Sequence, residues 1–344
     1  MSGVVNPAVD RAAAPAVRDD AAAFHRALAG YAPTPVHALD GIAAGLGLGA
    51  VLLKDESDRL GLPAFKVLGA SWAVERALRE HPGAHTLVTA SAGNHGRAVA
   101  HVAARRGLRC RVFLPRRSLA VRRDAIAGEG AEVVVVDGDY EEAVARATAA
   151  GREAGVLEIA DVGEPGGPPE WVIDGYATLF AEVAAQARYE AILVPVGVGS
   201  LAAAAARHGA ERGVPVIGVE PVAAACLTAS LAAGEPTAVP TPGTAMAGLD
   251  CAEVSPAAWP SLRAGIAATV TVTDEESAAA MAELAGLGLT IGECGAAPLA
   301  ALRRLLSPGL EDVRAAAGVG AGSRVLLIAT EGRTGGQATA RSSG

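Results

Sequence analysis

Short β-branched segments alternate along this chain with alanine-rich segments of helical length. The β-branched segments span residues 50–54, 86–89, 110–114, 132–136, 191–196, 214–219, 268–272 and 324–329. The helical segments between them include residues 70–80, 96–106, 140–154, 171–187 and 277–284. Strands that alternate with helices pair in parallel, because each crossover helix returns the chain to the same edge of the sheet. The pattern predicts an α/β fold with open parallel sheets and helices on both faces. The first 25 residues carry no such pattern and predict a loosely anchored arm.

Charge and composition narrow the class of partner. The 29 basic and 37 acidic residues give a net charge of −8, and no basic run is present. A surface that binds nucleic acid or anionic lipid needs clustered positive charge, so neither is an expected partner. The longest uncharged apolar stretch, 191–206, contains Pro195, Gly197 and Gly199 and is too short for a transmembrane helix. The charged N-terminal segment does not resemble a signal peptide, and we expect a cytoplasmic protein.

The cysteines do not suggest a metal site or a disulfide framework. The chain has four of them, far apart and without a Cys-x-x-Cys pair. Zinc sites and disulfide-rich folds both use closely spaced, recurring cysteines. We therefore predict buried thiols and no bound metal.

Lysine is rare in this chain, which makes each lysine a candidate for chemistry that arginine cannot perform. Of the 29 basic residues only Lys54 and Lys66 are lysines. A desolvated lysine can lose its proton and form a Schiff base, whereas arginine stays protonated. Lys66 lies between apolar residues and is the preferred candidate. Lys54 precedes Asp55 and Glu56 and is interpreted as a paired charge at a strand end.

Two strand-to-helix junctions have the composition of anion sites. Gly197, Val198, Gly199, Ser200 and Leu201 follow one strand and open an alanine-rich helix. The segment 91–95 follows another strand in the same way. A helix N-terminus offers unpaired N–H groups and the positive end of the helix dipole, and glycine lets an anion approach the backbone. The first junction suits a phosphate and the second a smaller carboxylate.

The segment 197–202 also satisfies the dinucleotide pattern G-x-G-x-x-G/A, with Glu220 at the distance of the ribose-binding acid. This interpretation is a competing one. It places the motif in the middle of the chain and leaves Lys66 and the second anion loop without a role.

A phosphate loop, an isolated lysine and a carboxylate loop together suggest pyridoxal 5′-phosphate and an amino acid substrate. The chain resembles the fold-type II pyridoxal-phosphate enzymes, which share the tryptophan synthase β fold. The motifs are Lys-Asp-Glu-Ser at 54–57, Ala-Phe-Lys-Val-Leu-Gly at 64–69, Ser-Ala-Gly-Asn-His-Gly at 91–96, Gly-Val-Gly-Ser at 197–200, Met-Ala-Gly-Leu at 246–249 and Thr-Glu-Gly at 330–332. The most similar branch is diaminopropionate ammonia-lyase, and the resemblance covers residues 31–334.

The resemblance implies roles for the residues of these motifs. Lys66 would carry the cofactor as a Schiff base, with Phe65 near the ring and Asn94 on the phenolic oxygen. Thr330 would face the pyridine nitrogen, and the loop 197–201 would hold the phosphate. The substrate carboxylate would lie on Ser91, Ala92, Gly93, Asn94 and His95. The resemblance also implies a homodimer, and a small domain of residues 69–179 inserted into a large domain of residues 1–68 and 180–344.

The chain departs from the ammonia-lyase pattern at the position of a second acid/base group. Ala92 stands where that branch carries aspartate, so the loop is closer to those of threonine and serine dehydratases. Asp161 is the candidate for another active-site aspartate of the branch. The predicted function is the α,β-elimination of an L-amino acid resembling 2,3-diaminopropionate to a 2-oxo acid and ammonia. A β-replacement synthase, a threonine or serine dehydratase, and a protein that only binds the cofactor remain alternatives.

Overall fold

The backbone forms two sheets of unequal size, each flanked by helices. The computed structural model describes residues 2–18 and 20–333. The strands of this part of the chain are β1 (Gly3–Val5), β2 (Val36–Ala38), β3 (Ala50–Asp55), β4 (Thr86–Ala90), β5 (Arg109–Pro115), β6 (Glu132–Val136), β7 (Val156–Glu158), β8 (Ala191–Pro195), β9 (Val216–Pro221), β10 (Ile266–Val272) and β11 (Arg324–Ala329). Its α-helices are α1 (Asp20–Arg26), α2 (Asp40–Leu46), α3 (Lys66–Glu80), α4 (Asn94–Arg105), α5 (Ala120–Gly128), α6 (Tyr140–Ala150), α7 (Pro168–Gln186), α8 (Ser200–Arg212), α9 (Cys226–Ala233), α10 (Trp259–Gly265), α11 (Asp274–Gly286), α12 (Glu293–Leu305) and α13 (Glu311–Ala316).

The larger sheet has the strand order β1-β10-β9-β8-β11-β3-β2. Its five central strands are parallel, and the edge strands β1 and β2 are antiparallel to their neighbours. The central strands are almost continuously apolar, because helices cover both faces of the sheet. Parallel strands present all their carboxyl ends at one edge, and the loops that follow β3, β8 and β11 therefore meet there.

The smaller sheet has the order β6-β5-β4-β7, and all its strands are parallel. It lies between residues 86 and 158, within the range predicted for an inserted domain. The predicted boundaries at 69 and 179 fall inside α3 and α7, which pack against each other. A Cβ added to Gly69 would lie 2.6 Å from the ring of Tyr176, and one added to Gly175 would lie 2.6 Å from the carbonyl oxygen of Leu68. Glycine at both positions therefore lets the two helices approach closely.

The N-terminal segment corrects one sequence-based expectation. It is not a loose arm, because β1 pairs with β10 and the buried Asn6 donates hydrogen bonds to the carbonyl oxygens of Arg263 and Ile266. His25 on α1 is fully buried and hydrogen-bonds to Thr178, Ser71 and the carbonyl oxygen of Leu68. These contacts hold the segment against the large sheet and the α3–α7 pair.

The eight predicted strands are confirmed, with ends displaced by a few residues. Strands β1, β2 and β7 were not predicted, because three-residue strands carry too little periodicity to be recognised. Within the described ranges, no helix combines the length and apolar character needed to cross a lipid bilayer. The same residues contain no group of three or more side chains arranged to hold a metal ion.

Candidate active site

Lys66 is the first residue of α3 and forms an ion pair with Asp161. Its Nζ donates to Oδ2 of Asp161 at 3.0 Å, and both side chains are largely buried. Asp161 lies in the loop between β7 and α7. Burial lowers the pKa of Lys66, but the nearby Tyr176 and Asp161 outweigh this effect and keep the pKa above its ordinary value. The amine of Lys66 is desolvated, as the sequence predicted. It nevertheless stays protonated, because it is paired with the carboxylate of Asp161.

His95 is the second neighbour of Asp161. Its Nε2 donates to the carbonyl oxygen of Ile159 at 2.9 Å, which leaves Nδ1 as the unprotonated nitrogen of the neutral ring. Nδ1 is buried without a hydrogen-bond partner and lies 3.8 Å from Oδ2 of Asp161. Burial raises the pKa of Asp161, but its electrostatic interactions with His95 and with the charged Lys66, which is also its hydrogen-bond donor, reverse the shift and lower the pKa to about 2. Asp161 is thus an ionised carboxylate between the charged amine of Lys66 and the unprotonated Nδ1 of His95.

The predicted phosphate loop joins β8 to α8. Gly199 has a positive φ of 93°, and its added Cβ would lie 2.6 Å from Cδ1 of Leu262. A Cβ on Gly197 would lie 2.7 Å from the carbonyl oxygen of Gly248. Glycine is therefore required at both positions. Ser200 opens α8 and donates to the carbonyl oxygen of Asp161 at 3.2 Å, which links this loop to the Lys66 pair.

Thr330 directly follows β11. Its backbone is hydrogen-bonded to the segment 63–65, which leads into Lys66 and is called the lysine loop below. The N–H of Phe65 donates to the carbonyl oxygen of Thr330 at 3.3 Å. Oγ1 of Thr330 is buried without a hydrogen-bond partner. Buried polar atoms are normally paired, so this hydroxyl is available to a bound group.

The second predicted anion loop leads from β4 into α4. A Cβ on Gly96 would lie 2.1 Å from the carbonyl oxygen of Ser91, so glycine lets the first turn of α4 fold against the loop. Oγ of Ser91 accepts a hydrogen bond from the N–H of Gly93. Ala92 is partly exposed and supplies no polar atom from its side chain. The turn is thus built from backbone groups and the hydroxyl of Ser91.

Asn94 begins α4 and contacts the large-sheet side of the site. Its Nδ2 donates to Oε2 of Glu331 at 2.6 Å. Glu331 follows Thr330 in sequence. The loops that carry Lys66, Asn94, Ser200 and Thr330 are therefore joined by direct contacts.

Sequence reasoning missed three residues of this site: Tyr176, Glu331 and Tyr140. The ring of Tyr176 lies 4.7 Å from that of Phe65, and its hydroxyl is buried without a partner. Tyr140, at the start of α6, directs its hydroxyl towards the carbonyl oxygen of Ala90, which precedes Ser91, at 3.4 Å. The paired glycines at 69 and 175 were a signal for close helix contact, but not for the residue that the contact would bring to Lys66.

Lys54 is a paired structural lysine, as predicted, but its partner is not one of the adjacent carboxylates. Its Nζ is fully buried and bonds to Oε2 of Glu182 at 2.7 Å. Glu56 instead pairs with Arg59, and Asp55 with His37. Lys66 is left as the lysine of the site.

Glu220 cannot serve as the ribose-binding acid of a dinucleotide site. It is fully buried, and its carboxylate accepts hydrogen bonds from the N–H of Leu227 and from the N–H and Oγ1 of Thr228. It therefore stabilises the start of α9. The competing dinucleotide interpretation therefore has no acidic residue to bind the ribose.

Comparison with known proteins agrees with this geometry. A family model described as "Pyridoxal-phosphate dependent enzyme" matches residues 27–331. The chain belongs to the pyridoxal-phosphate-dependent enzyme family. The unpartnered hydroxyl of Thr330, the glycine-lined loop 197–201 and the largely buried Lys66 fit this cofactor. The predicted cofactor and enzyme class are confirmed.

Individual relatives narrow the resemblance. The chain is 33% identical over 355 residues to diaminopropionate ammonia-lyase of Salmonella typhimurium, covering 91% of this chain and 88% of the relative. It is 31% identical over 285 residues to a biosynthetic L-threonine dehydratase of Escherichia coli, covering 82% of this chain and 54% of that protein. A crystal structure of Escherichia coli diaminopropionate ammonia-lyase with an aminoacrylate–pyridoxal phosphate azomethine intermediate superposes with a TM-score of 0.87. That match has 30% identity over 96% of this chain and 93% of the other. The predicted fold is confirmed, and the protein is an ammonia-lyase-type enzyme that performs α,β-elimination.

Proposed function

We propose that this protein converts L-2,3-diaminopropionate and water to pyruvate and two molecules of ammonia. The similarity to diaminopropionate ammonia-lyases over most of both chains supports this substrate. The observation that carries the proposal is the contact between Lys66 and Asp161, since it places an amine and a carboxylate within proton-transfer distance of each other.

The cofactor would be held by residues that follow strands of both sheets. Lys66 would bind it covalently, with Phe65 against the ring and Asn94 on the phenolic oxygen. Thr330 would pair with the ring nitrogen through its unpartnered hydroxyl. The phosphate would lie on the loop of residues 197–201. Bound pyridoxal phosphate supplies the electron sink for breaking the Cα–H bond.

Lys66 and Asp161 would handle the protons. The amine of Lys66 would remove the proton from Cα, and Asp161 would accept that proton from Nζ of Lys66, which lies 3.0 Å away, and pass it to the departing β-amino group. The unpartnered Nδ1 of His95 can accept a hydrogen bond from Asp161 while Asp161 carries that proton. Ser91 and the backbone of residues 92–95 would bind the substrate carboxylate.

The same contact favours one enantiomer. A base removes only the proton that faces it, and the two enantiomers present the Cα proton on opposite faces. Asp161 lies within hydrogen-bond distance of Lys66 and hence on the same side of the site. Ala92 stands at the position of the second acid/base group in the branch that the chain resembles, and its side chain supplies no base. We therefore propose selectivity for the L-isomer.

A threonine or serine dehydratase is the second candidate. The loop Ser91-Ala92 and the similarity to the threonine dehydratase support it. A β-replacement synthase would use the same proton transfers and then admit a nucleophile.

Product stoichiometry separates these functions. Purified enzyme loaded with pyridoxal phosphate is given L- or D-2,3-diaminopropionate, L-serine or L-threonine, and 2-oxo acid and ammonia are both measured. Diaminopropionate should yield two ammonia molecules per oxo acid, whereas serine and threonine can yield only one. Preferred turnover of serine or threonine would assign a dehydratase. Loss of oxo acid on addition of a thiol or amine would assign a synthase.

We also propose a cytoplasmic homodimer. All four cysteines are free, which is consistent with a reducing compartment. The family resemblance supports the dimer, and light scattering of the purified protein tests it.

A further inference from the structure

Glu331 occupies a junction that no part of the proposed chemistry uses. Its backbone forms an antiparallel bridge with Ala64, and its carbonyl oxygen accepts from the N–H of Gly292 at 2.9 Å. The N–H of the next residue, Gly332, donates to the carbonyl oxygen of Pro63 at 3.0 Å. The segment is thus fixed between the lysine loop and the start of α12.

The side chain of Glu331 reaches in the other direction, to the smaller sheet. It accepts the 2.6 Å hydrogen bond from Nδ2 of Asn94, across 237 residues of sequence. Burial raises the pKa of Glu331, and hydrogen bonds from Cys294 and Asn94 oppose that rise. Glu331 is therefore bonded to the lysine loop through its backbone, and to Asn94 at the end of the loop 91–94 through its carboxylate.

The hydrogen bond to Glu331 fixes which way the amide of Asn94 faces. Nδ2 of Asn94 donates to Oε2 of Glu331, so the amide carbonyl points away from Glu331 and one N–H of the NH₂ group is left for another partner. Without Glu331 the amide can rotate by half a turn and exchange its donor for its acceptor.

We propose that Glu331 is a positioning residue that fixes the amide of Asn94 so that its second N–H is presented to the cofactor. This inference rests on the proposed role of Asn94, because a phenolic oxygen that accepts a hydrogen bond needs the NH₂ group. Glu331 also sets Asn94 relative to Lys66, since its backbone is bonded to the loop that leads into Lys66. The carboxylate itself need not touch the substrate.

The sequence provides an unusually simple spectroscopic test. Asn6 and Asn94 are the only asparagines in the chain. Protein labelled with ¹⁵N at the asparagine side-chain amide should give two NH₂ signals by NMR. Asn6 is a built-in reference, because its Nδ2 bonds to backbone carbonyl oxygens remote from Glu331 in the sequence.

The variants are examined without cofactor. In Glu331→Ala the Asn94 signals should shift and their hydrogen exchange should become about tenfold faster or more, while the Asn6 signals stay unchanged. Glu331→Gln keeps an acceptor of the same size and should restore part of the wild-type shift. Glu153→Ala removes a more exposed glutamate bonded to Arg111 and should affect neither asparagine.

Two NMR results would overturn the inference. Unchanged Asn94 signals in Glu331→Ala would mean that the carboxylate does not hold the amide. If Glu331→Ala fails to fold, Glu331→Gln decides, and a shift of Asn6 together with Asn94 in that variant would assign Glu331 a general structural role.

Measuring cofactor binding gives a second test, and its outcomes distinguish failure of this inference from failure of the proposed function. Glu331→Ala should bind pyridoxal phosphate about tenfold more weakly and shift the pH dependence of its visible absorbance, with Glu331→Gln intermediate. A wild-type protein that binds no pyridoxal phosphate would refute the proposed function and leave the NMR result standing. Wild-type affinity and an unshifted pH profile in Glu331→Ala would refute the positioning role alone.

Discussion

Nζ of Lys66 lies 3.0 Å from Oδ2 of Asp161, a residue 95 positions further along the chain. The two arrive from different elements, since Lys66 opens α3 and Asp161 follows β7. Their contact keeps the amine charged in the protein without cofactor. It also determines which proton transfers the site can perform, and the first two predictions concern these residues.

Lys66→Ala should abolish covalent attachment of pyridoxal phosphate and lower kcat by about 10²- to 10⁴-fold or more, because it removes both the anchor and the base. Borohydride reduction of the wild type followed by peptide mass analysis should place the cofactor on Lys66. Lys54 is the matched control, as the other lysine of the chain. Cofactor found on Lys54, or an unchanged visible spectrum in Lys66→Ala, would contradict the assignment.

Asp161→Asn should lower kcat for L-2,3-diaminopropionate by about 10²-fold, because the amide cannot return a proton to the leaving group. It should also lower the pKa of Lys66 in the cofactor-free protein, since Asp161 is one of the groups that raise it. Ala92→Asp should add turnover of the D-isomer. Similar rates for both enantiomers in the wild type would refute the argument for a base on one side.

Gly199→Ala should weaken pyridoxal phosphate binding about tenfold or more, because the new Cβ displaces Leu262 and disturbs the phosphate loop. Gly213→Ala is the matched control at the other end of α8. Gly213 has a φ of 67° and no atom within 4 Å of an added Cβ. Both variants should lose about 1–2 kcal/mol of unfolding free energy from backbone strain. Equal cofactor affinity in the two would argue against the loop as the phosphate site.

His25 should make the unfolding free energy depend on pH. Burial lowers its pKa from 6.5 to about 4, so the folded state keeps the ring neutral where the unfolded state would protonate it. The stabilisation is present above pH 6.5 and is lost as pH falls towards 4, with a total of about 3 kcal/mol. Denaturant titrations at several pH values give the unfolding free energy of wild type and of His25→Gln. Between pH 4 and 6.5 this free energy should change less with pH in the variant than in the wild type. His81→Gln, at an exposed helix end, should retain the wild-type slope.

Much of the molecule was predictable because its signals are local. Alternating apolar segments identified eight strands, and glycines before helix starts predicted two anion loops. The scarcity of lysine singled out Lys66. The resemblance then named the cofactor, and the assignments of individual residues to it remain predictions.

Only the tertiary structure decided which distant residues meet. Lys54 bonds to Glu182 and not to the adjacent carboxylates, and Asn94 bonds to Glu331. Tyr176 lies near Lys66 because Gly69 and Gly175 let two helices approach. Periodicity and composition describe a residue's immediate neighbours in the chain, whereas these contacts depend on how the helices and the two sheets pack. The sequence alone therefore determined the elements and the candidate lysine, and the packing determined the partners that control its charge.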